Sequence, residues 1–76
     1  MAHTTICFDF GNTRLKYAVF DGNKQKIATV LDNDQEDTVA SVLDKYQPSK
    51  SILSSVIKHN ESIEALLGSR TQFHKF

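Results

Sequence analysis

The chain has 76 residues, nine basic against nine acidic, no tryptophan and one cysteine. That length allows one small domain with a marginal core, and the balanced charge argues against broad electrostatic capture of nucleic acid or an anionic membrane, while leaving local charge at Arg14 and Lys16. A lone cysteine excludes an intrachain disulfide and suits a reducing cytoplasm; no secretory signal is visible, and no apolar run reaches the ~18 residues of a spanning helix.

The first element is an apolar run. Ile6, Cys7, Phe8 and Phe10 are nearly continuous, so Thr4–Phe10 reads as a buried strand, with Cys7 as a small buried hydrophobe. Gly11-Asn12-Thr13 reads as a turn. Residues 14–20 read as a second strand, with Leu15, Tyr17 and Val19 on one face and Lys16, Ala18 and Phe20 on the other. Asp21-Gly22-Asn23 is a hairpin signal, because Asp-Gly tolerates the positive φ values of a type I′ turn. Lys24–Leu31 is then a third strand whose polar start (Lys24, Gln25, Lys26) suits an exposed sheet edge.

Helical spacing follows. Asn33 and Asp34 can cap a helix, and Glu36 stands three residues after Asn33, as in a capping box. Val39, Val42, Leu43 and Tyr46 form one apolar stripe; Asp37 in the first turn and Lys45 in the last match the helix dipole; Pro48 ends the helix. Residues 51–56 read as a short strand. Asn60 can cap a second helix with Ile63, Leu66 and Leu67 on its apolar side and Gly68 as the residue that ends it. The tail, 71–76, alternates at Phe73 and Phe76 and reads as the start of another strand. The order β-β-β-α-β-α implies an α/β fold with a mixed sheet, three antiparallel strands extended by parallel ones.

Chemistry concentrates at residues 9–16. Asp9 ends an apolar strand, where a carboxylate needs a cation, donors or water around it, and it can attract Mg²⁺ directly or through water. Gly11 lets the backbone approach an anion, turn N–H groups can form an anion-binding concavity, and Thr13 and Lys16 add donors and positive charge. Arg14, two residues before Lys16, is expected on the same face. Against this stand structural alternatives. Asp9 can stabilise a turn, any tight turn favours Gly11 and Asn12, Thr13 can cap the turn, and Lys16 can be a solvated charge. Phe10 and Leu15 lie inside the motif with side chains expected in the core.

Asp-x-Gly-Asn-Thr-x-x-Lys followed by Ala18-Val19-Phe20-Asp21-Gly22 resembles the first phosphate motif of type III pantothenate kinases, in the superfamily of acetate and sugar kinases, heat-shock chaperones and actin. The resemblance implies a ribonuclease H-like half-domain spanning 1–76, the amino-terminal nucleotide-phosphate part of a larger two-domain kinase. It implies ATP and phosphate binding by Asp9, Phe10, Gly11, Asn12, Thr13, Arg14, Leu15 and Lys16, with Mg²⁺ at Asp9, and pantothenate as substrate. It also implies a general base, a second phosphate motif and a K⁺ or NH₄⁺ site outside these residues, and a homodimeric intact protein. The segment alone is expected to lack turnover. Ser54-Ser55-Val56 resembles a second family segment, with Ile57-Lys58 where Val and Pro are usual, and marks Ser54 and Ser55 as possible cleft-lining residues.

Three competing readings remain. The chain could serve another phosphotransferase of the superfamily, acting on a sugar or on acetate. It could be a regulatory or binding module with the same fold, or a small hairpin-rich domain without nucleotide chemistry. His3, His59 and His74 are scattered and form no zinc spacing, and His59 is expected to be exposed before the second helix. The acids Asp32, Asp34, Glu36 and Asp37 lack the spacing of a calcium loop and read as a solvated helix start.

Overall fold

The computed structural model describes residues 3–58 and 60–76. The expectation for His59 falls outside them. Five strands and two helices follow in the order β1 (Thr4–Phe10), β2 (Leu15–Asp21), β3 (Lys24–Leu31), α1 (Glu36–Tyr46), β4 (Lys50–Ser55), α2 (Glu61–Arg70), β5 (Gln72–Lys75). The strands form one sheet in the spatial order β3-β2-β1-β4-β5. β1 runs antiparallel to β2 and parallel to β4; β2 and β3 are antiparallel, and β4 and β5 parallel. The mixed α/β sheet is therefore observed, with the tail completing a fifth strand.

Strand alternation sorts the residues. Ile6, Phe8 and Phe10 of β1, Tyr17 and Val19 of β2 and Leu53 of β4 are buried together with Val39 and Leu43 of α1 and Ile63 and Leu67 of α2. Both helices therefore cover the same face. Phe8 packs on Phe10 and on Tyr17 with ring centroids 6.1 and 6.0 Å apart, and Tyr17 reaches Tyr46 at 6.2 Å. Among the described residues, the only buried polar side chain is Ser51; its hydroxyl meets Thr71 Oγ1 at 2.5 Å, and that hydroxyl donates to the Leu67 carbonyl at 2.7 Å. Arg70 reaches Asp44 at 2.5 Å and joins the helices at the surface.

The other face carries Thr5, Cys7 and Asp9 of β1, Lys16, Ala18 and Phe20 of β2, and Ile52 and Ser54 of β4, none of them fully buried. Cys7 thus departs from the expected core position. It is half-buried on the helix-free face, and this partial burial pushes its thiol pKa up.

Local details differ from the sequence pattern for identifiable reasons. β2 starts at Leu15 because Arg14 belongs to the turn, where its carbonyl accepts the Gly11 N–H at 3.0 Å. Arg14 therefore lies just outside the strand that carries Lys16. The β2–β3 turn has φ +63° at Gly22, while Asn23 stays at negative φ. One positive φ at the first central residue is the type II′ pattern, not the I′ pattern. α1 begins after Gln35, which provides no side-chain cap. Asn33 instead accepts from the Gln35 N–H at 2.9 Å and the Thr38 hydroxyl at 2.7 Å, so the expected box with Glu36 is absent. Asn60 does cap α2, accepting from Ser62 N–H at 3.1 Å. α2 runs through Gly68 to Arg70; the left-handed helix end is at Gln47 after α1, with φ 46° and ψ 55°.

Candidate functional site

The topology collects three loops at one edge of the sheet. β1, β3 and β4 all point the same way, because β2 is antiparallel to β1 and β3 while β4 is parallel to β1. The turn after β1 (residues 11–14), the loop after β3 (32–35) and the described residues after β4 (56–58 and 60) therefore share the carboxyl end, where ligands bind in open α/β sheets. Two main-chain and side-chain bonds tie them. Val56 N–H donates to the Phe10 carbonyl at 3.0 Å, and Asn60 N–H donates to Asp34 Oδ2 at 3.0 Å.

Asp9 stands one residue before the end of β1. Its register partners are Lys16 across β2 and Ser54 across β4. Side chains directly opposite on neighbouring strands share a face, so Asp9, Lys16 and Ser54 form a row across three strands on the helix-free side. Asp9 and Lys16 are exposed, so the desolvation argument from the apolar run does not hold. The alternation that buries Phe8 and Phe10 turns Asp9 outward. Among the described residues, Asp9 and Lys16 close no salt bridge, with each other or with another group.

Beside this row lies the turn. Gly11 N–H is used by Arg14 O, while the N–H groups of Asn12 and Thr13 take no backbone partner among the described residues. Gly11 does not adopt positive φ, and a Cβ there would meet Arg14 O at 3.5 Å, an ordinary contact. The backbone itself thus does not demand glycine.

The expected residues divide between two concavities. Asp9 and Lys16 line one of about 450 Å³ on the helix-free face, with Cys7, Ala18, Phe20 and Ala28. Asn12, Thr13 and Arg14 line one of about 320 Å³ together with Leu15, Asp32 and Ile57. Val30 borders both. The Phe10 side chain is buried in the core and that of Leu15 packs against it, so neither reaches a ligand except through its backbone. Ser54 belongs to the row. Ser55 Oγ donates to the Ile57 carbonyl at 2.8 Å, which shapes the loop after β4. Asp32, which the sequence places in a solvated helix start, and Ile57, which it places after the Ser54-Ser55-Val56 segment, join the turn residues here. The available signal was topological, namely that a strand parallel to β1 must deliver its following loop to the same edge.

No group of three or more His, Cys, Asp or Glu side chains is placed to hold a metal among the described residues. Mg²⁺ commonly takes one or two carboxylates and completes its shell with water and substrate phosphates. A single exposed Asp9 fits a metal that arrives with a phosphate, and does not fit a free-standing cage. No helix is long and apolar enough to cross a membrane among the described residues. No protein-family model matches the chain, and no curated protein matches it.

Proposed function

We propose that this domain is the phosphate-gripping half of an ATP-dependent kinase resembling type III pantothenate kinases, built on a ribonuclease H-like half-domain. The observation that carries the reading is the row Asp9, Lys16 and Ser54 at the carboxyl edge of the sheet, next to a turn whose Asn12 and Thr13 N–H groups take no backbone partner among the described residues. Lys16 supplies positive charge toward the nucleotide phosphates. The Asn12 and Thr13 N–H groups and the Thr13 hydroxyl hold phosphoryl oxygens. Asp9 orients the water shell of Mg²⁺, which neutralises charge on the phosphates when bound. Phosphoryl transfer depends mainly on positioning and charge stabilisation, so these residues contribute by holding, not by covalent chemistry. None of them is assigned as the base for the pantothenate hydroxyl. A K⁺ or NH₄⁺ site and a homodimeric intact enzyme belong to the same reading.

The test is a titration of the chain with Mg²⁺-ATP, following backbone amide shifts by NMR. Shifts should centre on residues 9–16, and omitting Mg²⁺ should weaken them. Shifts spread evenly over the surface would reject the reading.

A further inference from the structure

Of the acids that run from the end of β3 into the first turn of α1, Asp32, Glu36 and Asp37 are exposed, while Asp34 is half-buried. The difference has a cause. Asn33 turns back to the start of α1, accepting from Gln35 and Thr38. The Asp34 carboxylate leaves its own loop and accepts the N–H of Asn60 at 3.0 Å. Asn60 is the N-cap of α2, and its own carboxamide is engaged with Ser62. A carboxylate at that helix start is also favoured by the helix dipole. The bond joins the two segments that wall the concavity beside the turn. Asp32 comes from the first and Ile57 from the second, with Asn12, Thr13 and Arg14 from the turn itself. The second segment is anchored to β1 at Val56, whose N–H reaches the Phe10 carbonyl, and Asp34 anchors it again at Asn60.

We infer that Asp34 is a positioning residue for the phosphate-binding turn. By holding Asn60 it fixes the Ile57 wall relative to the Asp32 wall, and so keeps the hollow beside the Asn12 and Thr13 N–H groups shaped to a phosphate group. Asp34 itself touches no ligand. The inference rests on the phosphate-binding reading and adds to it a residue outside 9–16. It also sets an expectation opposite in sign to simple electrostatics. Removing a negative charge at this edge of the sheet should by itself strengthen anion binding, whereas removing the residue that spaces the walls should weaken it.

The experiment compares the parent chain with Asp34→Ala and Asp34→Asn. Each is titrated with Mg²⁺-ATP and read at the amides of residues 9–16, with hydrogen exchange at the Asn60 amide and urea unfolding measured alongside. Asp34→Ala should speed Asn60 exchange and raise the Mg²⁺-ATP dissociation constant roughly fivefold, the scale of one hydrogen bond, in a chain that its urea curve shows to be folded. Asp34→Asn keeps an acceptor oxygen without the charge and should recover most of the lost binding. A bond that is only structural would lower the urea midpoint and leave the dissociation constant of the folded chain unchanged. That result, tighter binding in both variants as charge removal alone predicts, or Asn60 exchange that Asp34→Ala does not alter would each overturn the inference while the phosphate-binding reading stands. Absence of Mg²⁺-ATP shifts at residues 9–16 in the parent would remove that reading, and the inference with it.

Discussion

Asp9 and Lys16 are direct cross-strand partners on the face of the sheet that no helix covers. Opposite charges in that position attract only modestly when exposed, and the two side chains form no salt bridge with each other among the described residues. Neither is needed to hold the fold. Asp9→Asn and Lys16→Gln should leave the urea midpoint essentially unchanged and should each weaken Mg²⁺-ATP binding about tenfold or more, the scale of a charge-assisted hydrogen bond. Paired unfolding curves and NMR titrations of the two variants check this. A large loss of stability with unchanged titration would assign the pair a structural role.

Gly11 offers a sharper separation of folding from binding. Its φ is not positive and a Cβ would make only an ordinary contact with Arg14 O. Gly→Ala at a compatible position stabilises by about 0.4–1 kcal/mol through the unfolded chain. Gly11→Ala should therefore raise the melting temperature slightly while obstructing an anion at the turn. A variant that is more stable and binds Mg²⁺-ATP less well is the expected result. Equal binding would remove the reason for glycine proposed here.

Strand patterning made most of the sheet legible. The alternation of Leu15, Tyr17 and Val19 against Lys16, Ala18 and Phe20 matches the buried and open faces, and the mixed sheet follows from the order of strands and helices. Cys7 was misjudged because an apolar run does not say which of its residues a helix will cover. Only every second residue of β1 reaches the helices. The capping box failed at Asn33 because its carboxamide serves Gln35 and Thr38 from outside the helix. At the candidate site, Asp9, Lys16 and the turn could be read locally. Asp32 and Ile57 could not, since their approach to the turn depends on three strands sharing a direction.

The two helix starts should respond differently to substitution. Asn60 Oδ1 accepts from both the N–H and the hydroxyl of Ser62, at 3.1 and 2.9 Å. Asn60→Ala should cost about 1 kcal/mol, the usual loss for an N-cap. Gln35 caps α1 with its backbone alone, so Gln35→Ala should be close to neutral. Urea unfolding of both variants decides the contrast. Equal costs would mean that the Ser62 bonds contribute nothing beyond the backbone.

Alkaline pH should lower the stability of the domain through Tyr17. Burial is the main cause that pushes its pKa above the ordinary tyrosine value; a side-chain hydrogen bond with Tyr46 and the charges of Tyr46 and Asp32 act in the same direction. The half-buried Cys7 thiol is raised as well, by burial. A group with a raised folded pKa holds its proton longer in the native state than in the unfolded chain, so the unfolded state loses protons first as pH rises. The stabilising contribution of neutral Tyr17 is thus complete below the unfolded tyrosine pKa of about 10 and is lost as pH climbs through the folded value. Cys7 begins the same loss from about pH 8.5. Unfolding free energy measured by urea should be flat with respect to these two groups near neutrality and should fall above pH 8.5. Cys7→Ser should delay the onset, and Tyr17→Phe, which removes the phenol but keeps the ring against Phe8, should flatten the steeper part above pH 10. A Tyr17→Phe curve parallel to the parent over that range would show that Tyr17 does not carry the alkaline transition.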